Sequence, residues 1–198
     1  MTKTNRIAPA LLTIAGLSLI TVPAQAGEAP SPAVQAQLQE YKATMQAFGT
    51  TLKGELQAAM KEGGPMAAVQ VCNERAPEIA ADMSQESGYT LRRTSLKPRA
   101  TPPTDWERAV LEEFEARKAN GTPVAEIAWH EVKEIDGEQQ LRFMKAIPTE
   151  GVCLTCHGQD VDPKLKAEID RLYPDDQATG FAEGDIRGAF SISAALEQ

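Results

Sequence analysis

The sequence predicts an α+β domain, with helices around an antiparallel sheet of about four strands. Three patterns carry that expectation. Val34, Leu38, Tyr41, Met45, Phe48, Leu52 and Leu56 recur at steps of four and three, as on one face of a long helix. Asp136-Gly137 separates two strand-like runs, and Ile186, Phe190 and Ile192 recur at even steps near the C-terminus.

The elements follow in order. Ser31-Pro32 places an N-cap before a proline at the first helical position, and Gly63-Gly64 ends that helix. Its stripe reads first as packing on its own domain; because it is nearly heptad, a homodimer through this helix is the alternative. Pro65 opens a second helix with Val69, Cys72, Ala76, Ile79 and Met83 on one side. Pro77 should kink or divide it, and Gly88 should close it. Residues 89–99 read as extended, with Arg92, Arg93, Lys97 and Arg99 close together. Thr104-Asp105-Trp106-Glu107 is a capping box for a helix to about Asn120-Gly121. Residues 124–135 and 138–147 form a hairpin. Pairing Ile135 with Glu138 sets Glu131 opposite Arg142 and Trp129 opposite Met144, with His130 and Phe143 on the other face. A short helix from Pro163 to about Leu172 and a strand within 184–196 complete the frame.

Lys3 and Arg6, an apolar run from Ile7 to Val22 and Ala24-Gln25-Ala26 describe a secretory signal peptide, residues 1–26, cleaved before Gly27. The run is short and holds Pro9 and Gly16, which argues against an uncleaved anchor. The expected product is a soluble periplasmic protein with one domain, residues 27–198. A domain of that size buries roughly 70% of its unfolded surface and needs no disulfide to survive. Without Lys3 and Arg6, 18 basic residues face 28 acidic ones. That balance argues against nucleic acid and anionic membranes as partners.

Three cysteines and two histidines narrow the chemistry. Cys153-Leu154-Thr155-Cys156-His157 lacks the second Cys pair or spaced His pair of a structural zinc site. A thioredoxin-type disulfide wants a strand before it and a helix directly after it, whereas Gly158 and a new helix start at Asp162-Pro163 follow here. In an exported chain, C-x-x-C-H reads as covalent attachment of one c-type haem, with a plain disulfide as the main alternative. Two thiols on one turn can each form a thioether, and the adjacent histidine is held to meet the iron. Opposite His157, spacing leaves Cys72, His130, Met45, Met60, Met66, Met83 and Met144 open as the other ligand. Cys72 is an odd cysteine on an apolar helix side, equally readable as a ligand or as an inert buried thiol.

"AAVQVCNERAP" (67–77), "RRTSLKPR" (92–99), "GVCLTCHG" (151–158) and "LYPDDQATGFAEGDIRGAFSI" (172–192) occur in that order. They resemble the bacterial c-type-haem family with a PAS-like fold, whose domains stand alone or serve as exported sensor modules. The resemblance implies a PAS-like antiparallel sheet flanked by helices. It also implies haem held by Cys153 and Cys156, with iron ligated by His157 and by Cys72. The chain ends at Gln198 without a membrane segment or output domain, which argues against direct transmembrane signalling.

A His/Cys ligand pair places the reduction potential low, because a thiolate favours ferric iron. The expected function is a redox or gas-responsive sensor. A periplasmic electron-transfer cytochrome is the alternative, and a haem peroxidase or reductase finds no distal acid–base pair in the sequence. Partners would be a redox or signalling protein of the same compartment. The basic cluster is either a solvated strand face or a haem-propionate anchor. On a strand, Arg93 and Lys97 share a side, and Arg93 is the candidate cofactor-binding residue.

Overall fold

The two predicted N-terminal helices form one interrupted helix in the computed structural model, which describes Met1 and residues 29–197. The signal peptide and its cleavage point lie outside the described residues. Helix α1 spans Pro32–Ser87 and breaks at Gly64, whose φ of 68° and ψ of −161° are open to glycine and strained for other residues. Ser31 Oγ accepts from the Val34 N–H at the start, and Gly88 in the left-handed conformation closes the end. The expected kink at Pro77 is absent: Gly64 alone carries non-helical dihedrals. Pro77 lies on the exposed side of α1, so the carbonyl it cannot bond is not sealed in the core.

Strand β1 (Thr90–Thr94), helix α2 (Asp105–Ala119), a 3-10 turn (Val124–Glu126), strands β2 (Ala128–Ile135) and β3 (Glu138–Pro148), a second 3-10 turn (Gly151–Cys153), helices α3 (Leu154–His157) and α4 (Pro163–Leu172) and strand β4 (Ile186–Ala195) follow. The sheet is antiparallel in the order β1-β4-β3-β2. The fold is α+β. The hairpin register is the expected one, with Ile135 paired to Glu138, Glu131 to Arg142, Trp129 to Met144 and His130 to Phe143. Asp136 and Gly137 both have positive φ, 53° and 85°, which fits the twist of a two-residue hairpin.

Two expected strands are shorter than their patterns. Residues 124–126 curl into the 3-10 turn, which leaves Ile127 fully buried and starts β2 at Ala128. β1 stops at Thr94, because Ser95 Oγ donates to the Arg187 carbonyl and accepts from the Lys97 N–H. Lys97 is therefore off the strand and does not continue the face of Arg93.

The sheet is covered on both sides. On one, Val34, Leu38, Tyr41, Phe48 and Leu52 of α1 bury against Leu91, Leu141, Phe143 and Ile192. The heptad-like stripe thus packs on its own sheet. Gln37 ties the C-terminal strand to α1, donating to the Ala195 carbonyl and accepting from the Glu197 N–H. On the other side, Val110, Leu111 and Phe114 of α2 meet Met144, Ala146, Ile186 and Ala189. A third cluster joins Val69 of α1 to Leu165 and Ile169 of α4 and to Tyr173. No helix among the described residues is long and apolar enough to cross a membrane.

Candidate functional site

Gly151–Cys153 and Leu154–His157 form successive helical turns, so Cys153 and Cys156, three residues apart, share one side. Both are half-buried free thiols, and Cys156 packs against the cluster of Val69, Leu165, Ile169 and Tyr173. His157 is fixed from several directions. Its Nδ1 lies 2.7 Å from the Ala178 carbonyl oxygen, an atom that can only accept, so Nδ1 carries the proton. The Nε2 lone pair is therefore left free for a metal. The Phe181 N–H donates to the His157 carbonyl at 3.0 Å, the Gly180 N–H donates to the Gly158 carbonyl at 2.9 Å, and the Phe181 ring meets the imidazole edge-on. Burial, with Arg187 and Arg99 nearby, drives the His157 pKa down to about 2, so the imidazole is neutral.

Cys72 stands on α1 in the stripe of Val69, Ala76 and Ile79, half-buried and within electrostatic reach of Cys153 and Cys156. Burial raises its pKa, against the pull of Arg93, Arg99 and Arg187. Burial also raises the Cys156 thiol. The other ligand candidates are not brought here. His130 is exposed on edge strand β2, and Met144 is fully buried on the opposite side of the sheet. Met45 and Met83 pack against the α1 core, and Met66 is exposed.

The basic cluster separates residue by residue. Arg92 points to the α2 side, where it pairs with the buried Glu107 at 3.4 Å and donates to the Pro102 carbonyl at 2.6 Å. Arg93 takes the opposite side, with its guanidinium over the Phe48 ring. It is reached by solvent yet walled by protein, and that desolvation lowers its pKa against the favourable influence of Cys72. Lys97 donates to the Thr179 carbonyl and lies over the Phe181 ring.

Arg99 is the clamp of the site. Its side chain is 8% exposed and grips Asp176, 1% exposed, through Nε at 2.9 Å and a second nitrogen at 3.2 Å. The same guanidinium donates to the Cys156 and Ala178 carbonyls. One buried ion pair thereby holds both the thiol turn and the carbonyl that orients His157. Sequence reasoning missed Asp176, 77 residues away from Arg99, and it missed Arg187.

Arg187 sits in β4 where the register with β3 slips: Ile147 pairs with Gly188 and Pro148 with Ile186. Its guanidinium lies 5.2 Å from the Phe181 ring centroid, and Nε is buried with no hydrogen-bond partner among the described residues. Burial and the nearby Arg99 and Arg93 lower its pKa to about 10.

Two hollows flank this cluster, of about 290 Å³ beside Lys97, Phe181 and Gly188, and about 350 Å³ beside Arg99 and Tyr173. Neither is lined by the thiols or His157. Cys72, Cys153, Cys156 and His157 are each half-buried. The arrangement offers two adjacent thiols, a neutral imidazole with one fixed lone pair, a third thiol on the facing helix and a field of positive charge.

Comparison with curated proteins finds no match. The crystal structure of the cyanobacterial heme-protein Tll0287 shares the fold, with a TM-score of 0.64 at 20% identity, over 85% of this chain and 99% of that one. Residues 26–195 match the Tll0287-like family, and the chain belongs to that family.

Proposed function

We propose that the protein carries a single c-type haem, joined through thioethers to Cys153 and Cys156, with His157 and Cys72 as the protein ligands to its iron and Arg93 facing its propionates. The haem would supply a one-electron redox centre; the remainder is the work of this chain's residues. The observation that carries the reading is the fixed tautomer of His157 beside two same-side thiols, with Cys72 on the helix across from them. The description of the fold relative Tll0287 as a heme-protein supports it. The sheet order, with the first strand beside the last, supports a PAS-like domain. The signal-peptide pattern of residues 1–26 supports export to the periplasm as one soluble domain, residues 27–198.

The role that follows is a redox or gas-responsive sensor rather than a catalyst. His157 is pinned through ring and backbone by the 178–181 loop, whereas Cys72 rides on the arm of α1 that begins at the Gly64 break. Of the two ligands, Cys72 is the one free to respond. Its thiolate, if bound, favours the ferric state, and Arg93, Arg99 and Arg187 supply the opposing positive charge. Partners in this reading are haem and a redox or signalling protein of the same compartment. A homodimer would need a face other than the Val34–Leu52 stripe, which its own sheet covers.

The test has two parts. Acid–acetone extraction of the holoprotein should leave the haem on the chain; haem recovered in the solvent refutes covalent attachment. Ferrous protein should then bind CO. A ferrous form that excludes CO and cycles quickly between oxidation states supports the electron-carrier reading instead.

A further inference from the structure

The geometry points to Arg187 as an anchor, beside Arg93, for the two carboxylates of the bound group. This inference rests on the haem reading above and assigns its propionate-binding side. Arg187 is the extra residue of a bulge: β3 offers Ile147 to Gly188 and Pro148 to Ile186, and nothing to Arg187. A bulge re-aims a side chain that regular alternation would send elsewhere. Ile186 and Ala189 both lie in the α2-side core although they are three positions apart, the phase slip that an inserted residue produces. The bulge is held in place, because Ser95 Oγ donates to the Arg187 carbonyl at 2.9 Å. A Cβ added to Gly188 would fall 2.3 Å from the Thr94 carbonyl oxygen, so β4 can approach β1 this closely only with glycine there.

Charge accounting gives the ligand its class. Arg93 and Arg99 lie close enough to Arg187 to depress its ionisation, and Asp176 is the carboxylate that faces Arg187 among the described residues. Both oxygens of Asp176 are committed to Arg99. Tyr173, which also faces them, is held protonated by burial, and Cys72, Cys153 and His157 belong to the proposed haem attachment itself. Arg93 and Arg187 form no ion pair with a carboxylate among the described residues, and the buried Arg187 Nε has no acceptor there. A guanidinium desolvated as Arg187 is stays costly unless an anion completes it. A dicarboxylate group held beside His157 supplies two negative charges and the missing acceptors, through the charge-assisted bonds that guanidinium forms best.

The test measures midpoint potential against pH in holoprotein. Wild type should give a potential nearly independent of pH between about 5 and 8, because clamped propionates stay ionised. Arg187→Gln should lower the potential and make it fall with rising pH across that window, as a released propionate titrates. Arg187→Lys should restore most of the potential, since it keeps the charge. Arg92→Gln, on the α2 side, should leave both potential and pH profile unchanged. An Arg187→Gln profile superimposable on wild type overturns the anchor role. Should Arg187→Gln not accumulate, Arg187→Met, which keeps the side-chain bulk beside Phe181, decides: a potential that falls with rising pH sustains the anchor role, and a wild-type profile overturns it. Wild-type protein that holds no haem refutes the earlier reading instead, so the two failures are told apart.

Discussion

The two sides of the sheet treat buried charge differently. On the α2 side the partly buried Arg92 and Arg142 each face a carboxylate, although Arg92 Nε makes no hydrogen bond among the described residues. Arg92 pairs with Glu107, and Arg142 pairs with Glu131 at 3.1 Å while lying over Trp106. On the side of the thiols Arg99 pairs with Asp176, whereas Arg93 and Arg187 form no ion pair among the described residues and the buried Arg187 Nε has no acceptor there. A charge that the fold has already neutralised is structural. A buried charge left unneutralised marks where a ligand of opposite sign belongs, because the desolvation it suffers is otherwise uncompensated.

Removing one partner of each ion pair in turn sharpens that contrast. The largest effect should come from Asp176→Ala, which strands Arg99 in a nearly closed environment and releases the Cys156 and Ala178 carbonyls. Breaking such a pair from one side costs about 3–5 kcal/mol. Denaturant unfolding of the holoprotein measures it, and a loss below about 1 kcal/mol would contradict the clamp. Glu107→Ala should cost less, about 2 kcal/mol. It removes the carboxylate that accepts from the Thr104 N–H and hydroxyl at the start of α2, but Arg92, 29% exposed, can turn to water. A loss equal to that of Asp176→Ala would mean that the two sides are not distinct. Smallest is Arg142→Met, at about 1 kcal/mol, since Glu131 is a third exposed and the remaining loss is the contact with Trp106. The same unfolding assay reads it, and a loss above about 3 kcal/mol would show a dependence that this partly solvated pair does not account for.

Much of the frame was legible because local chemistry decides it. Asp136-Gly137 selects a two-residue turn, and that turn alone sets every pair from Ala128–Lys145 to Ile135–Glu138. Gly64 and Gly88 likewise end helical segments for reasons contained in one residue. Pro77 misled because local propensity was overridden: Ala76 and Ile79 bury beside it and hold the helix through the proline. The extent of β1 was hidden for a different reason. Ser95 ends that strand by bonding Arg187, 92 residues away, and no spacing rule connects them.

The site divides in the same way. Cys153, Cys156 and His157 are contiguous, so a string of five residues reveals them. Cys72 was visible as an odd cysteine, but its position beside the motif depends on α1 crossing α3 and α4. The split between Arg92 and Arg93 followed from strand alternation, and the structure sends them to opposite sides. Arg187 was illegible because a bulge is a mismatch between two strands. It exists only in the register of β4 against β3.

The central claim is that Cys72 supplies the ligand opposite His157, and the ferric spectrum of Cys72→Ala with its midpoint potential tests it most directly. In the proposed reading attachment runs through Cys153 and Cys156, so the variant should keep its haem. Without the anionic donor, the spin state and optical and paramagnetic-resonance spectra should change, and the potential should rise. Ferric spectra that superimpose on wild type, with equal potentials, would contradict the account and return Cys72 to the status of a packed thiol.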